Sequence, residues 1–183
     1  MATDTRTEIT PEDLLLIDDR PMPELVDGEL LEREVGQRSD SIAATALALL
    51  WIFVQQGKLG LVNGSQGSYQ IFPDDPNKVR IPDVSYTSRA RLPSGGPASG
   101  HGRVVPDLVV EVISPNDTFS SVQSKVNDFL AAGVRLVWVV EPETLSVQVH
   151  HPDHTSLTLF IGDTLDGEDV LSGFRCEVAR LFA

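Results

Sequence analysis

Glu111 stands inside Leu-Val-Val-Glu-Val-Ile, residues 108–113, a run that otherwise belongs in a hydrophobic core. An ionised carboxylate there is costly unless a cation or hydrogen-bond donors compensate it. Read as a strand, the segment puts Asp107, Val109, Glu111 and Ile113 on one face, with Asp107 and Glu111 about 13 Å apart after four residues of rise. On a straight strand that span is too long for one shared metal ion, so Asp107 enters as a secondary acidic ligand that needs a bend. Asp83, in the β-prone segment from Arg80 to Thr87, is a nearer neighbour, because consecutive strands separated by a loop usually pair. Two adjacent carboxylates repel each other, and Lys125 is placed to supply part of the missing positive charge. It falls three positions after Val122 and four before Phe129, on the edge of the inward stripe of a helix that follows the Glu111 strand. Asp83, Glu111 and Lys125 suit metal-assisted hydrolysis: hard oxygens hold Mg²⁺ or Mn²⁺, bound water becomes the nucleophile, and the lysine orients it or stabilises charge. The same trio also reads as a structural ion pair, and spacing alone leaves both open.

The elements that must position these groups are legible in outline. Thr10, Pro11, Glu12 and Asp13 form an N-cap, a first-turn proline and a capping box, predicting a short helix through Ile17 that Pro21 and Pro23 end. Asp27-Gly28 between apolar pairs predicts a tight hairpin within residues 24–35. The main helix is expected from about Ser41 to Gln56, with Gly57 as its stop. Strands are expected within residues 59–72 and 80–87, and the glycine- and serine-rich stretch 89–103 predicts an irregular loop. The nearly continuous apolar run 106–114 predicts a central strand covered on both faces. A helix from about Thr118 to Ala132 follows, with Gly133 as its stop, then a strand over Arg135–Pro142 and a hairpin from SVQVH and SLTLFI. LSGFRCEVARLF reads as a closing short helix.

A length of 183 residues predicts one domain spanning the whole chain, with the short helix and hairpin of residues 10–35 ahead of its core. The formal charge of −13 disfavours general adhesion to nucleic acid or anionic lipid, so any such contact must be local. The longest apolar stretch, Ile42 to Val54, is shorter than the roughly 18 residues a membrane span needs, which predicts a buried helix and no membrane partner. One cysteine, Cys176, cannot close an intrachain disulfide, and MATDTRTEIT lacks the basic and apolar regions of a secretory leader; both fit a cytoplasmic protein.

Residues 78–103 carry five basic side chains, Lys78, Arg80, Arg89, Arg91 and Arg103, against one acidic side chain, Asp83. A basic loop beside the acids would grip a phosphate backbone, making Arg80, Arg89, Arg91 and Arg103 candidate substrate-binding residues; an ordinary solvated loop is the plainer reading. HHPDH at residues 150–154 and GSQGS at residues 64–68 read as turns, Trp51 and Trp138 as core residues, and Cys176 as no nucleophile.

ELVDGEL from Glu24, IPDVSY around Asp83, PDLVVEVISPND around Glu111, KVNDFLAAGVRLVWVVEPE from Lys125 and the closing LSGFRCEVARLF together resemble the Uma-two family of restriction-endonuclease-like proteins, a branch of the PD-(D/E)XK superfamily. The resemblance runs from about Thr10 to Phe182. It implies an α/β fold with a restriction-endonuclease-like core, a mixed central sheet flanked by helices, and N-terminal and C-terminal β-hairpins. It further implies Asp83 and Glu111 as metal ligands, Lys125 as the catalytic lysine, and Glu24 as an acid completing the site, against its plainer reading as an exposed hairpin residue. The superfamily lysine usually lies two residues after the acid; that position is Ile113 here, so the match requires a lysine displaced onto the following helix. Ser39 and Phe129 stand where family members commonly carry histidine and tyrosine.

The function expected is therefore a Mg²⁺- or Mn²⁺-dependent endonuclease acting on nucleic acid, DNA first, through a local basic loop, with a homodimer left open. The alternatives are a catalytically inactive interaction protein on the same scaffold and a metal-dependent hydrolase of a small phosphoester.

Overall fold

The computed structural model describes residues 9–18, 21–33 and 36–183. Helix α1, Pro11–Leu14, opens as the sequence predicts: the Asp13 amide donates to Thr10 Oγ1 at 3.2 Å and the Thr10 amide to the Asp13 carboxylate at 3.0 Å. It is one turn long, ending before Ile17, which instead packs with Leu14, Leu25 and Val79 in a small cluster. Strands β1 (Glu24–Val26) and β2 (Glu29–Leu31) form the expected hairpin, and Asp27 and Gly28 both take positive φ, +51° and +78°, as a tight two-residue turn demands. Glu34 and Val35, the end of the segment assigned to that hairpin, lie outside the described residues.

Helix α2, Gln37–Gly57, begins four residues earlier than the sequence predicts, because Gly36 is already the extended N-cap and Ser39 Oγ bonds its backbone. It ends differently too. Gly57 remains helical and Lys58 takes the left-handed conformation at φ +52°. Gly57 is needed for closeness instead: a Cβ there would lie 2.8 Å from Leu59 Cγ, where the chain turns back onto the helix. Ile42, Ala46, Leu50 and Val54, four apart, form the buried stripe. Trp51 lies off that stripe and is 52% exposed, which corrects the expectation that it packs in the core; Trp138 does pack there.

Six strands make one mixed sheet in the order β3 (Gly60–Asn63), β4 (Val84–Ser88), β5 (Leu108–Val112), β6 (Leu136–Glu141), β7 (Ser146–His150), β8 (Ser156–Phe160). All neighbours are antiparallel except β5 and β6, which run parallel because α3, Phe119–Ala131, crosses between them. The β7–β8 hairpin is the C-terminal hairpin expected from SVQVH and SLTLFI. Strand β5 is covered on both faces: Leu108, Val110 and Val112 meet the α2 side, while Val109 packs with Val126 and Phe129 of α3. That double cover explains its unbroken apolar sequence.

The closing segment is the short helix expected only at its end, Val178–Leu181, a 3₁₀ helix; the residues before it form a strand. Phe174, Cys176 and Val178 point inward while Arg175 and Glu177 are exposed, a period of two that places β10 (Arg175–Glu177) against β9 (Thr164–Asp166). Among the described residues no helix is long and apolar enough to cross a membrane.

Candidate active site

Strands β4 and β5 pair with Val84 opposite Val110, and extending that register by one residue sets Asp83 opposite Glu111. Asp83 stands immediately before β4, not inside it as the sequence reading had it. Its Oδ2 accepts a hydrogen bond from the Val112 amide at 2.8 Å, which fixes the carboxylate against β5. Glu111 shares the sheet face of Val109, the face covered by α3. Helix α3 is capped by Thr118, whose Oγ1 accepts from the Ser121 amide at 3.1 Å, and its phase brings Lys125 over that face. Lys125 Nζ lies 3.3 Å from Glu111 Oε2 and 3.7 Å from Glu24 Oε1.

Glu24 is 2% exposed, which corrects the reading of it as an exposed hairpin residue. Its Oε1 accepts from the Ile81 amide at 2.9 Å and its Oε2 receives Arg80 Nη1 at 2.9 Å. The sequence therefore delivers Asp83, Glu111, Lys125 and Glu24 to one place, a cavity of about 380 Å³ also lined by Arg33, Arg80, Ser114 and Ser124.

Burial pushes Glu111 up from 4.5 to about 8; Lys125 acts against that rise, and Asp83 and Glu24 reinforce it. Burial also raises Asp83, opposed by the Val112 amide, Arg33 and Lys125. For Lys125 burial works to release the proton, but Glu111, Glu24 and Asp83 outweigh it and hold the ammonium charged. The site thus sets Glu111, an acid that burial makes reluctant to ionise, beside a lysine that stays cationic.

Among the described residues no cluster of three or more His, Cys, Asp or Glu side chains is arranged to hold a metal ion. Two carboxylates are enough for Mg²⁺, which keeps several waters and takes further oxygens from substrate phosphate. Glu111 Oε1 is buried and has no hydrogen-bond partner among the described residues, an uncompensated oxygen on the strand position opposite Asp83. A hard divalent cation held by Asp83 and Glu111 would satisfy it, so these residues fit the group.

Asp107 is not brought to this pair. It lies just before β5, at the opposite end of the strand from Glu111, where the Ser88 amide donates to Oδ2 at 2.7 Å and Arg91 Nε and Arg135 Nη1 approach Oδ1 at 3.0 and 3.9 Å. The basic segment also disperses. Arg80 borders the cavity but is 3% exposed and committed to Glu24 and to Asp128 Oδ2, at 2.6 Å from Nη2. Lys78 bonds Asp74 and Asp128, each at 2.9 Å. Arg91 serves Asp107, Arg103 approaches Glu12 at 3.9 Å, and neither they nor Arg89 line the cavity of the acids.

Arg33 and Asp128 escaped the sequence reading. Arg33 Nη2 lies 3.1 Å from Asp83 Oδ1, yet in sequence it sits between Glu32 and Glu34 and looks like part of a solvated charged face. Asp128 did carry a signal: Ser124 and Asp128 are four apart on α3, and both bond Arg80. Ser39 bonds Ser114 at 3.2 Å and lines a separate cavity on the α2 side of Asp83, while Phe129 is enclosed against Phe72 at a ring distance of 5.9 Å. In HHPDH, His151 pairs with Glu168 at 2.9 Å.

The model of the Uma2 family, described as "Putative restriction endonuclease", matches residues 11–179. A crystal structure of "a putative nuclease belonging to DUF820" from Anabaena variabilis ATCC 29413 has a TM-score of 0.79 and 18% identity, covering 95% of this chain and 97% of that one. At that identity the likeness carries the fold. No curated protein matches the chain.

Proposed function

The chain belongs to the Uma2 family, and on that premise we propose that it is a metal-dependent endonuclease that hydrolyses phosphodiester bonds of DNA. The observation that carries this reading is the convergence of Asp83, Glu111 and Lys125 on one cavity, with Glu111 Oε1 buried and without a hydrogen-bond partner among the described residues. Asp83 and Glu111 would hold Mg²⁺ or Mn²⁺; when bound, the ion lowers the pKa of water and offsets phosphate charge. Glu111 must yield its proton to serve as a ligand. Lys125 keeps its own and presents positive charge where water attacks phosphorus and the leaving oxygen departs. Glu24 acts through others, anchoring Lys125 from one oxygen and Arg80 from the other.

A second reading, a non-catalytic protein on this scaffold, draws support from the Arg33–Asp83 pair, which neutralises one candidate ligand without any metal. The two separate in one experiment: wild type, Asp83→Ala, Glu111→Ala and Lys125→Met are incubated with supercoiled DNA, RNA and small phosphoesters, with Mg²⁺ or Mn²⁺ and with EDTA. Metal-dependent DNA nicking by wild type, lost in all three variants, supports the endonuclease. Nicking retained by Asp83→Ala and Glu111→Ala sinks it, as does failure of wild type to bind either ion in a titration. Turnover of a small phosphoester with DNA untouched reassigns the substrate.

A further inference from the structure

Two cavities flank Asp83, and Arg33 lines both. One holds Glu24, Glu111 and Lys125. The other, about 460 Å³, opens between the first turn of α2 and the Ser65-Gln66 turn of the GSQGS segment. The guanidinium is held by Nη1 donating to the Ser65 carbonyl at 2.9 Å and Nη2 donating to Asp83 Oδ1 at 3.1 Å. An arginine has five N–H donors. The others make no hydrogen bond with the described residues, and the side chain retains 10% exposure.

The cations around it are already committed, Lys125 to Glu111 and Glu24, and Arg80 to Glu24 and Asp128. Arg33 differs because its acid partner is a candidate metal ligand. Asp83 Oδ1 cannot serve a divalent ion and a guanidinium at full strength together, since the two positive charges repel. A phosphate offers the planar guanidinium an equivalent, bidentate acceptor.

We propose that Arg33 is a substrate-binding residue, which neutralises Asp83 in the free protein and moves its guanidinium to a non-bridging phosphate oxygen of the DNA strand once metal and DNA occupy the site. This rests on the endonuclease reading above. It also supplies the local phosphate contact that an acidic protein needs and that Arg89, Arg91 and Arg103 do not bring to the acids.

The test uses the full chain and two binding measurements: Mn²⁺ by calorimetry, and a fluorescein-labelled DNA duplex by anisotropy in Ca²⁺ across a salt series. Arg33→Ala is expected to bind Mn²⁺ about fivefold more tightly, as loss of one partly screened like charge allows. Its DNA affinity is expected to fall about tenfold, with the slope of log affinity against log salt shallower by about one. Arg33→Lys is expected to restore the slope but not the whole affinity, because it lacks the fork. Should Arg33→Ala lower the thermal midpoint, Arg33→Gln, which keeps a donor for Ser65, carries the same comparison. Weaker Mn²⁺ binding with unchanged DNA affinity would make Arg33 a prop for Asp83 and overturn the proposal. Unchanged affinity for both overturns it while leaving the endonuclease reading intact. A wild type that binds neither Mn²⁺ nor DNA removes both.

Discussion

Lys125 reaches Glu111 across a strand-to-helix connection, its Nζ 3.3 Å from Oε2, and so places a cation that stays charged beside an acid that burial makes reluctant to ionise. The contact depends on the parallel crossover: β5 runs into α3, and the helix lies back over the sheet face that carries Glu111.

Replacing Lys125 by Met keeps the stem and removes the charge. Glu111 then loses its nearest compensating cation and holds its proton more tightly. DNA cleavage in Mg²⁺ is expected to fall by about 10²- to 10⁴-fold, the usual weight of a positioned proton-transfer or charge-stabilising group. Mn²⁺ should still bind once the pH is high enough to ionise Glu111. Cleavage equal to wild type in a gel assay removes the lysine from the mechanism.

The proton on Glu111 makes metal binding pH-dependent. Its pKa is raised by folding from 4.5 to about 8, so the metal-free folded protein binds more protons than the unfolded chain between those values. The associated stability is present below about 4.5 and is lost as pH rises through about 8. Mn²⁺ affinity should move the other way, rising up to about tenfold per pH unit below 8 and levelling above it, with close to one proton released per ion. Calorimetry in buffers of different ionisation enthalpy counts that proton. In Glu111→Gln the release disappears.

Much of this site could be read from sequence because its anomalies are local. A glutamate among valines, and a lysine at the edge of an apolar helical stripe, each violate a pattern their own segment establishes. Glu24 needed the family resemblance, since nothing around it says that a hairpin residue will be buried. Arg33 is hidden for the opposite reason: it sits between Glu32 and Glu34 in a run of charges, and only the tertiary fold shows which of them loses its water. In the closing segment Leu171, Phe174, Val178 and Leu181 match helical spacing while Phe174, Cys176 and Val178 also alternate, and packing of β10 on β9 decides for a strand over Arg175–Glu177, leaving the short helix to Val178–Leu181. Trp51 fails similarly, an apolar residue in an apolar helix whose phase turns it outward.

Gly60 offers a test of the scaffold away from the acids. A Cβ at this position of β3 would lie 2.1 Å from the Thr87 carbonyl oxygen, a backbone atom of β4 that cannot move without breaking the ladder. Gly60→Ala is expected to cost about 2 kcal/mol or more by urea unfolding, as overpacking at a close backbone approach does. Gly95→Ala, which meets nothing within 4 Å, should stay near wild type. Equal unfolding midpoints for the two variants would contradict the β3–β4 register.

The network behind Glu24 sets a final expectation. Asp128 receives Arg80 and Lys78 together, and Arg80 passes the constraint to Glu24, which meets Lys125. Asp128→Ala takes one acid from each of two buried cations, leaving Lys78 to Asp74 and Arg80 to Glu24, and is expected to destabilise the fold by up to about 3 kcal/mol, because a buried cation that loses one of its partners has part of its desolvation unanswered. Deleting the cation as well relieves that penalty. Arg80→Met combined with Asp128→Ala should therefore cost less than the sum of the two single changes, a coupling of about 1 to 3 kcal/mol in a double-mutant cycle read by chemical denaturation. The folded double variant separates the network's two roles. With Arg80 gone, Glu24 Oε2 loses its donor and Lys125 loses a fixed partner, so the rate of cleavage should fall while Mn²⁺ affinity at Asp83 and Glu111 stays within about threefold of wild type. Strict additivity in the cycle would mean that Arg80 and Asp128 act independently, and that the line from Asp128 to Lys125 transmits nothing.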